Sequence, residues 1–171
     1  MKKHLWLTCL LIATIGIHAQ NLAVISDCVT NPPSFMKMSY QEADEASFLE
    51  SDLIERGARK ICPEYITNLV NQLYSGRLNH DNEALAIDLL GALHPGDLRS
   101  IEFLIQNIDF ERTKFDPPDR ISTQSKYPAA EALVKIGQPV VIPILNRLPS
   151  ETNLLRRQLM CDVLKRVWQR K

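Results

Sequence analysis

Apolar residues along this chain fall into helical stripes separated by glycine and proline. Ala46, Leu49 and Leu53 mark one stripe, on a helix beginning near Gln41 and ending at Gly57. A second helix opens near Arg59 or Pro63, buries Ile66, Leu69, Val70 and Leu73, and ends at Gly76. Leu85, Leu89, Leu90 and Leu93 give a third, with Asp81 or Asn82 as the residue able to accept from the free amides of its first turn. His94-Pro95-Gly96-Asp97 forces a turn, and Ile101, Leu104, Ile105 and Ile108 mark a fourth helix. A fifth starts at Pro128 and runs through Ala132, Leu133 and Ile136 to a turn at Gly137-Gln138-Pro139. Val140, Val141, Ile144, Leu145 and Leu148 form its partner, in which Pro143 falls in the first turn, where a proline removes little hydrogen bonding. Pro149-Ser150 stops that helix and caps the last one, whose stripe is Leu155, Leu159, Met160, Val163 and Val167, with Leu164 and Trp168 on its flank.

The pattern repeats. Leu53-Ile54-Glu55-Arg56-Gly57 with Pro63 returns as Leu133-Val134-Lys135-Ile136-Gly137 with Pro143, and turns near Gly57, His94 and Gly137 are spaced by roughly forty residues, a solenoid period. The stretch from Tyr127 to Leu145, Tyr-Pro-Ala-Ala-Glu-Ala-Leu-Val-Lys-Ile-Gly-Gln-Pro-Val-Val-Ile-Pro-Ile-Leu, resembles a HEAT repeat. It is most similar to the bacterial subtype also found in bilin-lyase-like proteins. The resemblance is specific over 127–148, weaker over 82–108, where His94-Pro95-Gly96 replaces the usual glycine turn, and partial over 46–75. It implies an all-α fold, a short right-handed α-solenoid of stacked antiparallel helix pairs spanning 41–171. One pair could not offset the ordering entropy of its own residues by burial, so the pairs must stack.

The ends change the picture. Met1 to Ala19 has the layout of a signal peptide: Lys2, Lys3 and His4, an apolar run from Leu5 to Ile17, and Ala19 as the closing small residue. That run is shorter than the ~20 residues a spanning helix needs. The expected location is therefore secreted or periplasmic. Residues 20–40, with Pro32-Pro33 and no helical period, read as an extended arm packing on the first helix through Phe35, Met36 and Met38. A chain beginning after Ala19 carries eighteen basic and twenty acidic residues, a formal charge of −2, which argues against bulk attraction to nucleic acid or anionic lipid. Cys28, Cys62 and Cys161 would remain. If any pair is bridged it is Cys28 with Cys62; the alternative is three separate small buried side chains.

Candidate chemistry is sparse. Gly57, Gly76, Gly91, Gly96 and Gly137 assemble neither a dinucleotide fingerprint nor a phosphate loop, and no Gly-x-Ser-x-Gly elbow occurs. His80 beside Asp81 and Glu83 could ligate a metal, but capping groups at a helix start explain the trio, and His94 reads as a solvated turn residue. No catalytic residue, cofactor or metal is expected. Arg156, Arg157, Lys165, Arg166, Arg170 and Lys171 form a basic cluster, either a docking surface for an acidic partner or cations offsetting a helix C-terminus. The irregular run from Asp109 to Lys126 is long for a helical stack. Its Phe110, Arg112, Lys114, Phe115, Asp116, Asp119 and Arg120, around Pro117-Pro118, are either contact residues for a partner or a solvated insertion whose aromatics fold back. The leading expectation is a monomeric, non-enzymatic scaffold for another protein, using the concave side of the stack and this loop. A chromophore or cofactor lyase or its accessory, as the resemblance permits, and a structural component of the cell envelope are the alternatives.

Overall fold

The computed structural model describes residues 28–57, 60–113 and 125–170. Among these the chain is all-helical: α1 (Tyr40–Glu55), α2 (Pro63–Tyr74), α3 (His80–Ala92), α4 (Leu98–Gln106), α5 (Pro128–Ile136), α6 (Val141–Arg147) and α7 (Leu154–Gln169), with single 3-10 turns at Phe35–Lys37, Gln138–Val140 and Leu148–Ser150. The signal-peptide and residue 20–27 expectations lie outside the described residues.

Local chemistry sets the helix starts. Ser39 and Glu42 form a reciprocal capping box on α1, the Glu42 carboxylate accepting the Ser39 N–H at 2.8 Å. Asn79 caps α3, Asp97 caps α4 and Asn153 caps α7, each accepting from the amide three residues on. Two of these differ from expectation. Asn79 takes the place assigned to Asp81 or Asn82, so the helix starts earlier and Asp81 and Glu83 enter its first turn, where they face the positive end of the dipole. Ser150 belongs to the preceding 3-10 turn, and Asn153 does the capping. Pro63 and Pro128 sit at the starts of α2 and α5, where no intrahelical amide is lost.

The helices form two layers. In one, α1 packs on α3, α3 on α5 and α5 on α7; in the other, α2 packs on α4 and α4 on α6. Diagonal contacts of α2 with α3, α4 with α5 and α6 with α7 join them. The seam between α3 and α5 is the most extensive, and Gly91 explains why. A Cβ there would lie 2.8 Å from both Cα and Cβ of Ala132, so the missing methyl lets the two backbones approach. Leu85, Ile87, Leu89 and Leu90 of α3 and Leu133 and Val134 of α5 are all buried.

The outermost helix of the first layer is turned from its expected orientation. Instead of Ala46, Leu49 and Leu53, α1 buries Ala43, Ser47 and Glu50, leaving Phe48 74% and Leu49 55% exposed. Polar bonds to the neighbours select this face: the Ser47 hydroxyl donates to the Leu85 carbonyl at 3.1 Å, and Tyr65 donates to Glu50 at 3.4 Å.

The arm also packs elsewhere than on the first helix. Phe35 is fully buried, its N–H donates to Gln72 of α2 at 3.1 Å, and Asn82 of α3 donates to the Phe35 and Met38 carbonyls, both at 2.9 Å. Met36 stays 43% exposed. A parallel bridge pairs Val29 with Ile61, and beside it Cys28 and Cys62 are disulfide-bonded across a Cα separation of 5.4 Å. Cys161 is free and exposed, unlike the buried thiol of the alternative reading.

Candidate protein-binding surface

The loop after α4 is anchored along α3. Phe110 stacks on His80, ring centroids 4.3 Å apart, and packs against the core. The His80 Nε2 lies 2.7 Å from the Glu111 carbonyl, a contact that requires a proton on that nitrogen, and Thr113 donates to Asp81 at 2.6 Å. His80 and Asp81 at the start of α3 are therefore occupied in holding this loop. Burial pushes the Glu83 carboxyl above its ordinary range, and His80 draws it partly back.

Arg112 points inward. It is 2% exposed, its guanidinium is paired with Asp88 of α3, and its backbone N–H donates to the Lys126 carbonyl at 2.9 Å, tying the two described ends of the loop together. Expected as a contact residue, it is instead an internal clamp, because Asp88 beneath the loop needs a cation. Asp88 retains 28% of its side-chain surface, yet protein on most sides desolvates it. That desolvation raises its carboxyl above the usual aspartate value; Arg112 and then Lys135 oppose the rise, and Asp44 adds to it. Lys114, Phe115, Asp116, Asp119 and Arg120 lie outside the described residues.

His94 stands at φ 47° in the turn after α3, a backbone region that glycine ordinarily fills. Although exposed, it is more than a solvated turn residue: its Nδ1 lies 2.8 Å from the Lys135 carbonyl in the last turn of α5.

The basic cluster of α7 divides into two sets. Arg156 donates to the Ile105 carbonyl at 3.1 Å, and Arg170 to the Val134 carbonyl at 3.1 Å. Both acceptors lie in the final turns of α4 and α5, where carbonyls lack helical partners and the dipole is negative. Arg166 reaches Glu131 at 2.8 Å. These three arginines bind the last helix to α4 and α5, whereas Arg157 and Lys165 are exposed and Lys171 lies outside the described residues. At the start of α7, the Asn153 N–H holds the Glu151 carboxyl below its usual range, aided by Arg156.

The sequence pattern did not single out the outer side of the second layer. There the Arg99 guanidinium lies over the Tyr74 ring, 5.2 Å from its centroid, and donates to Asn71 at 2.9 Å. Tyr74 meets Phe103 edge-on at 5.0 Å, which fixes the ring while leaving Tyr74 43% exposed. Leu98 on α4 and Ile142 and Leu145 on α6 are exposed in the same layer, at 59%, 64% and 45%. The signal available was weak: Arg99 lies off the apolar stripe of α4, while Leu98 and Tyr74 sit at the edges of theirs.

A separate apolar cleft of about 400 Å³ is lined by Ile54, Ile61, Cys62, Pro63, Ile66 and Leu93, which bring no convergent polar groups to orient a small ligand. Among the described residues no three His, Cys, Asp or Glu side chains gather as a metal site, and no single helix is long and apolar enough to cross a membrane. Comparison of the chain with protein-family models, curated proteins and solved structures finds no match.

Proposed function

We propose that this is an exported α-solenoid of HEAT type that serves as a scaffold for another protein, held against the outer side of α2, α4 and α6. The two-layer order of helices supports the solenoid reading, with α1, α3, α5 and α7 as one wall and α2, α4 and α6 as the partner-facing wall. The disulfide supports export, since such bonds persist in oxidising compartments. The observation that carries the binding reading is Arg99 stacked on a ring-locked Tyr74 beside exposed Leu98. A rigid tyrosine and an arginine are the residue types enriched at interface hot spots, and the exposed leucine beside them adds apolar area.

Leu98→Asp combined with Arg99→Glu tests it, because both residues are exposed and the change leaves the core intact. Crosslinking in envelope extract should capture a defined protein with the wild-type chain and lose it with the double variant at unchanged Tm. Capture that survives the double variant would remove this surface from the proposal.

A further inference from the structure

We propose that copies of this chain associate end to end, the outer face of α7 in one copy seating on the outer face of α1 in the next. The surface required is separate from the α2–α4–α6 wall, so this proposal stands independently of the binding reading above.

The two ends of the first layer are unlike the polar caps that helical stacks need for solubility. On α1 the side opposite Ala43, Ser47 and Glu50 presents Glu45, Phe48, Leu49 and Asp52, which share one face at helical spacing. Phe48, at 74% exposed, is the most exposed large apolar residue described. On α7 the side opposite Met160, Val163 and Val167 presents Leu154, Cys161, Lys165 and Trp168, with Leu154 69% and Trp168 62% exposed. Each end thus carries a small apolar centre framed by charge.

The charges have opposite signs at the two ends. Of the six acids of α1, Glu50 faces inward and Asp52 is paired with Arg56 at 2.7 Å, while Glu42, Glu45 and Glu55 are exposed, and the helix contains no base. On α7 the outward bases are Arg157 and Lys165 against Asp162, the other arginines being bonded into the stack. Pairing α1 with α1 would oppose acids, and pairing α7 with α7 would oppose bases. Pairing α7 with α1 joins unlike charges over apolar centres. Such a contact is heterologous: it leaves a free α1 at one end and a free α7 at the other, so addition continues instead of closing at a dimer. This departs from the monomer expected above, which had placed Leu49 in the core.

Sedimentation of the chain beginning after Ala19 tests the proposal, together with two face variants: Phe48→Lys with Leu49→Lys, and Leu154→Glu with Lys165→Glu. Wild-type mass should climb with concentration past that of a dimer, and more steeply at low salt than at high salt. Each variant alone should remain monomeric. Mixed, they should form a dimer and stop there, because one intact α7 face then meets one intact α1 face. Alkylation of Cys161 needs no variant and should slow several-fold as wild-type concentration rises. A wild-type chain that stays monomeric with constant Cys161 reactivity, or one whose mass plateaus at a dimer, would overturn the proposal. So would variants that assemble as the wild type does.

Discussion

Arg112 and Gly91 show how single residues take their roles from what lies across a helix seam. Removing the cation of a buried pair strands the other charge, so Arg112→Met should cost about 3–5 kcal/mol in chemical denaturation. Asp88→Asn in the same chain should recover much of that loss. The raised value of Asp88 also has a signed consequence. Stability from a carboxyl that is raised on folding is complete below its unfolded value, near pH ~3.9, and is lost as pH climbs through the folded value. Asp88→Asn should therefore flatten the part of the stability profile that declines with rising pH across the acidic range, whereas Arg112→Met should steepen it and move it upward. Gly91→Ala gives an equally direct test. In an open helix the change would stabilise by up to about 1 kcal/mol; against Ala132 it should destabilise by about 1–3 kcal/mol, read as a lower denaturation midpoint. Neither role was legible beforehand. An arginine in a polar loop carries the pattern of a surface residue, and a mid-helix glycine shows nothing of the backbone it will meet.

At the scale of elements, existence was far easier to read than orientation. Apolar spacing places all seven helices of the described residues, because burying one stripe is the main reason a segment of this length stays helical. The rotation of α1 escaped it, since two of its buried residues are Ser47 and Glu50, polar groups satisfied by a carbonyl on α3 and a tyrosine on α2. The arm likewise follows hydrogen bonds with Gln72 and Asn82 that no hydropathy pattern records. The disulfide fastens the first described residue of this arm to the start of α2 across a sequence separation of 34. By loop-closure entropy it should contribute about 4 kcal/mol, so reduction should lower Tm substantially. Thiol titration of the unreduced chain beginning after Ala19 should find Cys161 alone, with Cys28 and Cys62 appearing after reduction.

For the whole molecule, the distribution of charge matters more than its sum. A chain beginning after Ala19 is nearly neutral, but the exposed charge of α1 is acidic and that of the outer face of α7 is mainly basic, which sets the direction of the proposed association and its weakening by salt. The wall proposed to face a partner depends in the same way on assembly: Tyr74 and Arg99 lie on different helices and meet because α2 packs on α4. The order of apolar and polar positions was by itself enough to determine that the chain is helical, where most turns fall and that the helices must bury stripes against one another, because these follow from local spacing and from the entropy that burial must offset. Which polar residues go inward, which apolar ones remain outside and which side chains become neighbours was decided by tertiary packing alone, because those outcomes depend on the partner available across each seam.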